Sequence, residues 1–263
     1  WDYPKGLIEG KVEGVWYTSK KSVEVVFLGD SHIEQYGPRL VDFYADGESK
    51  EAAFIAGGAC PPIPNVVLAR ESARNECLNV LKRFKAVLNQ SNVETVVIGA
   101  SFNAYFGGST AYFYQKEGEL IAKLSTAEGL RLAKDSFYEF VSKLTEKYRV
   151  VVLLDIPVDE KFEPDSLLLY TEGGRRLIPL AVDESSVSFG QADYQIRISN
   201  EMKDRLSELK VVVIDQAAVI CPDNLCRSIN EEGKPIYKDS SHMRPFFVKK
   251  HMDLLDPFFL LPQ

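Results

Sequence analysis

Two short stretches of this 263-residue chain combine residue types that can carry out acyl chemistry together. Ser31 follows Gly29 and Asp30, and Asp239 and His242 stand three residues apart near the other end of the chain. A serine hydroxyl attacks a carbonyl carbon when a base takes its proton, and a carboxylate fixes the tautomer of that base. We therefore predict Ser31 as the nucleophile, His242 as the base and Asp239 as the residue that orients the base.

The chain offers three histidines for the role of base. His251 falls in a late helical pattern, where a solvated or core histidine is expected. His32 adjoins Ser31, and the side chain of an adjacent residue is expected to point elsewhere. His242 is therefore the best base. The sequence contains no Gly-x-Ser-x-Gly, which excludes the nucleophile elbow of the α/β-hydrolases.

The residues before Ser31 predict the element that presents it. Residues 23–28 are apolar or β-branched except for Glu24, which indicates a buried strand that ends at Gly29. A helical pattern from Ile33 to Tyr44 follows, and Pro38 is expected to interrupt it. Ser31 thus lies past the carboxyl end of a strand, where open α/β sheets bind ligands and helix N–H groups favour negative charge. The alternative is a serine that only caps the helix.

Four further strand patterns alternate with helices along the chain. The run from Arg149 to Ile156 is nearly continuous in apolar residues, as is typical of a parallel strand covered on both faces. The alternation predicts a three-layer α/β/α sandwich with a five-stranded parallel, flavodoxin-like sheet, and the loops that carry candidate residues meet at one edge. The predicted strands are 23–28, 52–56, 93–98, 149–156 and 211–214, and the predicted helices are 70–89, 126–147, 193–209 and a last one from about 245.

The motif Gly29-Asp30-Ser31-His32, together with Asp239-x-x-His242, resembles the SGNH (GDSL-like) hydrolase/transferase superfamily. The stretches at 57–62, 221–226 and 233–239 make the chain similar to the SGNH domain fused to acyltransferase-3 membrane proteins, which O-acetylate bacterial surface polysaccharides. The likeness spans most of residues 23–255. It implies a serine-dependent O-acetyltransferase that forms an acetyl-Ser31 intermediate. A carbohydrate O-acetylesterase and a silent glycan-binding domain remain the alternatives.

The resemblance also implies an oxyanion hole, made by the N–H groups of Ser31 and Gly58. For Gly58 the alternative is a plain tight turn. SGNH enzymes usually carry Gly-x-Asn after the third strand, whereas residues 99–101 here read Gly-Ala-Ser. The acyltransferase-3 branch also tends to lack this asparagine. Asn103, two residues further on, is our prediction for a third donor.

Four cysteines allow three pairings. Cys221 and Cys226 flank a Pro-Asp-Asn turn, which favours a local disulfide, and Cys60 and Cys77 would then tie the loop after the second strand to the next helix. Two disulfides predict an oxidising, extracytoplasmic compartment. Four reduced core cysteines are the alternative. A zinc site is not expected, because Cys-x-x-Cys pairs or histidines at ligand spacing are absent from the sequence.

Composition disfavours two classes of binding partner. The net charge of -7 argues against nucleic acid or an anionic membrane surface as the main partner. The sequence also has no apolar run of the roughly 20 residues that a membrane span needs. The chain opens on Trp1, so a mature product or an excised domain is expected. The resemblance then implies a membrane acyltransferase-3 domain that supplies acetyl groups derived from acetyl-CoA. Neither a metal nor an organic cofactor is expected within this domain.

The domain organisation is predicted as an extension over residues 1–22, packed on a domain that spans residues 23–263. Insertions are expected at about 104–124 and 157–190, and a small hairpin over 221–237 is expected to deliver Asp239 and His242. The first insertion is a candidate wall of a glycan groove or else core packing, and the second is a candidate acceptor-side segment. The residues singled out there are Tyr105, Phe106, Tyr112, Phe113 and Tyr114 in the first insertion, and Arg175 and Arg176, which are either anion contacts or a solvated pair, in the second.

Overall fold

The computed structural model describes residues 2–90, 92–171, 174–177, 186–188, 193–222 and 225–261, and for 168–171 and 174–177 it describes the backbone alone. The strands are β1 (Ile8–Glu9), β2 (Trp16–Tyr17), β3 (Val25–Gly29), β4 (Ala52–Ala56), β5 (Val66–Leu68), β6 (Thr95–Gly99), β7 (Tyr112–Lys116), β8 (Glu119–Lys123), β9 (Arg149–Leu153), β10 (Leu168–Thr171), β11 (Gly174–Leu177), β12 (Ser186–Ser188), β13 (Val212–Ile214) and β14 (Leu225–Arg227). The helices are α1 (Ser31–Glu34), α2 (Gly37–Ala45), α3 (Glu71–Gln90), α4 (Phe102–Phe106), α5 (Ala127–Thr145), α6 (Tyr194–Ser207), α7 (Ala217–Ile220), α8 (Pro245–His251) and α9 (Asp256–Phe259).

The central sheet contains the five predicted parallel strands in the order β4-β3-β6-β9-β13. In chain order this is 2-1-3-4-5, the flavodoxin-like arrangement. Alternate residues of these strands enter two separate cores. Helices α3, α5 and α6 cover one face, while α1, α2, α7, α8 and α9 cover the other. The predicted three-layer sandwich is therefore confirmed.

The sheet is longer than predicted, because the first 22 residues add two strands to it. β2 pairs antiparallel with β4, and β1 pairs antiparallel with β2, so the sheet has seven strands in all within the described residues. Tyr17 is buried in this edge. Each added strand has only two residues, too few to show a period of two. The pair protects the edge of β4, which would otherwise expose unpaired N–H and C=O groups.

The helix after Ser31 is broken, but not at the position that the sequence predicted. α1 ends at Glu34, and Pro38 occupies the first turn of α2. Proline fits there because the first N–H groups of a helix have no intrahelical acceptor. The break therefore lies at residues 35 and 36, before the proline.

The segment 221–237 is not the isolated hairpin that the sequence predicted. β14 pairs antiparallel with β12, which belongs to the second insertion, and a separate turn is closed by the bridge between Ile229 and Pro235. The second insertion otherwise forms two short 3₁₀ helices, Glu160–Phe162 and Pro164–Leu167, and the β10–β11 hairpin. Residues 172–173, 178–185 and 189–192 of it lie outside the described part of the chain.

The first insertion pairs with an earlier strand to form a separate three-stranded sheet, β5-β7-β8. Its aromatic residues divide by burial. Tyr105, Phe106 and Tyr112 are core residues, whereas Phe113 and Tyr114 are half-buried. The core-packing interpretation thus holds for the first three, and the hydroxyl of Tyr112 donates to the carbonyl of Ala59 at 2.9 Å. That contact fastens the small sheet to the loop of Gly58.

Both predicted disulfides are present, Cys60–Cys77 and Cys221–Cys226.

Replacing Cys60 and Cys77 together with alanine is expected to lower the free energy of unfolding by about 3 kcal/mol, because a disulfide that closes a 17-residue separation restricts the unfolded chain. The matched variant replaces Cys221 and Cys226. Because their disulfide closes a separation of only 5, the free energy of unfolding should fall by about 2 kcal/mol. Urea unfolding measures both values. A wild-type unfolding midpoint in the Cys60/Cys77 variant would contradict the expectation.

Across the described helices, none combines the length and apolar character that crossing a bilayer requires.

Candidate active site

Ser31 is the first residue of α1, directly after the turn that ends β3. The turn is tight because Gly29 packs against the end of the neighbouring strand β6. A Cβ atom at Gly29 would lie 1.7 Å from the carbonyl oxygen of Gly99, a contact that only glycine avoids. Asp30 caps α1 through its side chain, which accepts from the N–H of His32 at 2.8 Å. The sequence Gly-Asp-Ser therefore fixes where the serine stands.

The three predicted catalytic side chains form one continuous chain of contacts. Ser31 Oγ lies 2.7 Å from Nε2 of His242. On the other side of the ring, Nδ1 lies 2.8 Å and 3.0 Å from the two carboxylate oxygens of Asp239. A carboxylate only accepts hydrogen bonds when ionised, so Nδ1 carries the proton and Nε2 accepts from the serine hydroxyl. This is the tautomer that general-base activation of Ser31 requires.

Asp239 remains ionised because its partners outweigh its burial. Burial opposes the charge, but His242 Nδ1–H and the backbone N–H groups of Ser241 and His242 hold the pKa of the Asp239 carboxyl well below its usual range. The hydroxyl of Ser241 also donates to Asp239 Oδ1 at 3.2 Å. The carboxylate is thus held in place while it orients His242.

The catalytic loop, residues 238–242, is closed by backbone pairing and fastened to α1 by one glutamine. Tyr237 and Met243 form an antiparallel bridge, and the N–H of Lys238 donates to the carbonyl of His242 at 2.7 Å. Gln35 is buried; its Oε1 accepts from Met243 N–H at 3.0 Å, and its Nε2 donates to the carbonyl of His32 at 2.9 Å. Gln35 therefore links the helix of the nucleophile to the loop of the base.

Replacing Gln35 with leucine is expected to lower both stability and turnover. The change leaves a buried N–H and a buried carbonyl without partners, which costs about 1–3 kcal/mol, and it frees the catalytic loop from α1. Urea unfolding and hydrolysis of p-nitrophenyl acetate measure the two effects, and we expect turnover to fall by about tenfold. Gln90→Leu, at the exposed end of α3, is the matched control. Wild-type turnover in Gln35→Leu would show that the link is not needed.

The second insertion supports the other side of the catalytic loop. Glu163 Oε1 accepts from the N–H of Ser240 at 2.9 Å, and the N–H of Asp159 donates to the carbonyl of Ser240 at 3.3 Å. The ring of Phe162 stacks on Tyr237, with centroids 4.3 Å apart and planes 5° apart. The beginning of this insertion is therefore part of the structure that holds Asp239 and His242. The side chains of Arg175 and Arg176 lie outside what the structure describes.

Two backbone N–H groups, those of Ser31 and Gly58, are the candidate donors to an oxyanion. Within the described part of the chain, neither the N–H of Ser31 nor that of Gly58 has a hydrogen-bond acceptor. The N–H of Gly57 donates to the carbonyl of Gly29 at 3.4 Å, which brings the Gly58 turn beside the nucleophile. The Cys60–Cys77 disulfide fastens the same turn to α3. These contacts support the prediction that Ser31 and Gly58 form the oxyanion hole.

Asn103, the predicted third donor, has other partners. It is buried in α4; its N–H donates to Asp155 Oδ2 at 2.6 Å, and its amide nitrogen lies 3.5 Å from Oε1 of Gln195. A side chain that faces Gln195 is a poor donor for an oxyanion on Ser31. The structure thus brings Ser31, His242, Asp239 and Gly58 together but gives Asn103 a different set of contacts.

A buried polar network that the sequence reasoning missed lies behind Ser31. Asp30 is 1% exposed; it accepts from the N–H groups of His32 and Ser101 and from the hydroxyl of Tyr105. Burial opposes the charge of Asp30, but the side chain of His32, the N–H of Ser101 and the hydroxyl of Tyr105 together lower the pKa of the Asp30 carboxyl. The ring of His32 does not point away, as predicted, but stacks on the ring of His242 with centroids 4.6 Å apart.

Asp155 is a further missed residue, and the sequence did contain a signal for it. It follows β9 at the same edge of the sheet as Ser31, and it caps α4 by accepting from the N–H groups of Phe102 and Asn103 at 2.8 Å and 2.6 Å. Burial raises its pKa to about 7, against the opposing effects of His32 and of those N–H groups. A polar residue just past a buried strand is the pattern that also marks Ser31.

The parallel order 2-1-3-4-5, with a Ser–His–Asp contact chain at its carboxyl edge, defines an SGNH-like α/β protein. The sequence matches the family described as "SGNH domain (fused to AT3 domains)" over residues 7–257. Because the match covers most of the chain, this protein belongs to that family, and the resemblance found in the sequence is confirmed.

A solved structure shares the fold at low sequence identity. The periplasmic domain of a lipopolysaccharide acetyltransferase from Salmonella ser. Paratyphi A matches with a TM-score of 0.59 and 14% identity, over 90% of this chain and 84% of that one. A protein from Streptococcus pneumoniae, assigned as a platelet activating factor, matches with a TM-score of 0.49 and 11% identity, over 91% and 85% of the two chains. A comparison with individually curated proteins finds no match.

Proposed function

We propose that this domain is an extracytoplasmic serine O-acyltransferase that moves an acetyl group, through acetyl-Ser31, onto a hydroxyl of a bacterial cell-surface polysaccharide. The observation that carries the proposal is the contact chain from Ser31 Oγ through His242 to Asp239 at the carboxyl edge of the sheet. Membership of the SGNH family fused to AT3 domains supports the acetyl group as cargo. The acetyltransferase periplasmic domain that shares the fold supports a glycan as acceptor.

In the first half-reaction, His242 Nε2 takes the proton of the Ser31 hydroxyl while Oγ forms a bond to the acetyl carbonyl carbon. The N–H groups of Ser31 and Gly58 donate hydrogen bonds to the carbonyl oxygen and stabilise the negative charge that develops on it. Removing one such donor typically costs about 10²–10³ in rate. His242 then returns the proton to the leaving group, the bond to that group breaks, and acetyl-Ser31 remains.

In the second half-reaction, a sugar hydroxyl acts as the nucleophile and attacks acetyl-Ser31. His242 removes its proton, the sugar oxygen bonds to the acetyl carbon, and collapse of the tetrahedral intermediate releases Ser31, which regains its proton from His242. Water that enters by the same route would give an esterase. The triad serves both outcomes equally, so the acceptor decides the reaction.

The two disulfides support an oxidising compartment, the periplasm or the cell surface. The AT3 domain named in the family description is the proposed source of the acetyl group, delivered from acetyl-CoA across the membrane. Within this division of labour, the chemistry of the domain needs only its own serine, histidine, carboxylate and N–H groups.

The test measures where the acetyl group goes. The protein is incubated with p-nitrophenyl acetate in the presence and absence of a bacterial surface oligosaccharide, and the acetylated sugar and free acetate are quantified by mass spectrometry and an acetate assay. Acetylated sugar that depends on Ser31 supports the transferase. Free acetate alone, whatever oligosaccharide is offered, identifies an esterase, and a rate equal to that of Ser31→Ala identifies a silent glycan-binding domain.

A further inference from the structure

His32 is a buried ring at this site that acyl transfer, as described above, leaves without a role. Its ring is stacked on that of His242, with centroids 4.6 Å apart and planes inclined by 15°. His32 is only 9% exposed, so its own position is fixed by the packing around it. Because the His32 ring covers one face of the His242 ring, His242 cannot turn out of the line between Ser31 and Asp239 without displacing His32. His32 therefore restricts the orientation of the base.

Each ring nitrogen of His32 faces an oxygen atom. Nε2 lies 3.0 Å from the carbonyl oxygen of Ser241, the residue before the base. Nδ1 is buried and outside hydrogen-bond geometry in the described residues, but it lies 3.4 Å from Oδ1 of Asp30. An imidazole with a carbonyl oxygen in hydrogen-bond reach of one nitrogen and a carboxylate beside the other is favoured as the doubly protonated cation. Burial alone would lower the pKa of His32, but Asp30 and, through its charge, Asp155 outweigh burial and raise it.

The charged groups around the two stacked rings come from several elements. Asp30 is the carboxylate nearest to His32, whereas Asp239 is bonded to His242, so each ring has its own counter-charge. The charged or titratable groups on these elements are Asp30 before α1, Asp155 after β9, Asp239 and Lys238 on the catalytic loop, and Glu34 on α1, whose pKa burial raises to about 7.

Resting on the proposed function, we propose that His32 is a cationic positioning residue for His242. It neutralises Asp30, fixes the carbonyl of Ser241 and holds the base in line between Ser31 and Asp239.

The test is the measurement of kcat and KM for p-nitrophenyl acetate in the wild type and in His32→Gln. Glutamine can still donate to the carbonyl of Ser241 but carries neither charge nor ring. We expect kcat to fall by about tenfold while KM stays unchanged, because a misaligned base slows proton transfer and leaves substrate binding intact. His251→Gln, which removes a histidine packed on Phe247 in α8, should keep the wild-type kcat and KM.

A wild-type kcat in a folded His32→Gln variant, or a loss confined to KM, would overturn the proposal. A second measurement does not depend on activity or on the folding of a variant. The ¹⁵N chemical shifts of His32 in the wild type should be those of an imidazolium at neutral pH, and shifts of a neutral ring would overturn the proposal as well. Absence of any Ser31-dependent turnover would contradict the proposed function instead, and the ¹⁵N shifts would still decide the charge of His32.

Discussion

Ser31→Ala is expected to reduce the release of p-nitrophenol from p-nitrophenyl acetate by at least about 10³-fold, to the rate of the uncatalysed reaction. The reason is chemical rather than structural. The variant keeps His242, Asp239 and the N–H groups of the proposed oxyanion hole, but it lacks the oxygen that, in the proposed mechanism, bonds to the acetyl carbon. Its fold should survive, because the variant loses the hydrogen bond between the serine hydroxyl and His242, which is worth about 1 kcal/mol.

The matched control for that variant is Ser72→Ala, on an exposed position of α3. It should release p-nitrophenol at the wild-type rate. Circular dichroism and urea unfolding of both variants show whether the fold is intact. Turnover in a folded Ser31→Ala variant at more than a few per cent of the wild-type rate would remove Ser31 from the role of nucleophile.

Asp239→Asn should also have a large effect, a loss of about 10⁴ in kcat, which is typical when an asparagine replaces the carboxylate of a Ser-His-Asp triad. An asparagine can present its NH₂ group to Nδ1 of His242, which then accepts, so that the proton moves to Nε2. His242 can then no longer accept from Ser31. The loss of charge also removes the counter-ion of the imidazolium that forms during the reaction.

The control is Asp204→Asn, an exposed carboxylate on α6 that should leave kcat unchanged. Measuring KM in the same experiment separates orientation from binding. A loss confined to kcat agrees with a carboxylate that acts through His242. A rise in KM with unchanged kcat would mean instead that Asp239 binds the substrate and does not orient the base.

The sequence predicted the central sheet well because its strands are apolar runs that alternate with helical patterns. β3, β4, β6, β9 and β13 all fall within or beside predicted strands, and the parallel order follows from the helices between them. β1 and β2 were missed because two-residue strands carry no period, and their pairing depends on the exposed edge of β4. The pairing of β12 with β14 was missed for a similar reason, since each has only three residues and they are far apart in sequence.

The site divides in the same way. The contact between Ser31, His242 and Asp239 could be predicted, because residue type and spacing indicate the chemistry that joins these three side chains. The positions of Gln35, Glu163 and His32 could not, because each acts through a contact between segments that are remote in sequence. His32 is the clearest case. Adjacency to Ser31 suggested a ring that points away, whereas the first turn of α1 carries it under the catalytic loop, where its Nε2 lies 3.0 Å from the carbonyl oxygen of Ser241.

The most direct test of the central claim is to find the acetyl group on the enzyme. The wild-type protein is mixed with p-nitrophenyl acetate, quenched rapidly in acid, digested and examined by tandem mass spectrometry, with and without a bacterial surface oligosaccharide. The proposed mechanism predicts an acetyl group on Ser31 that is lost when the oligosaccharide is present and reappears on the sugar. Turnover that continues with the acetyl group on another residue, or on none, would contradict it.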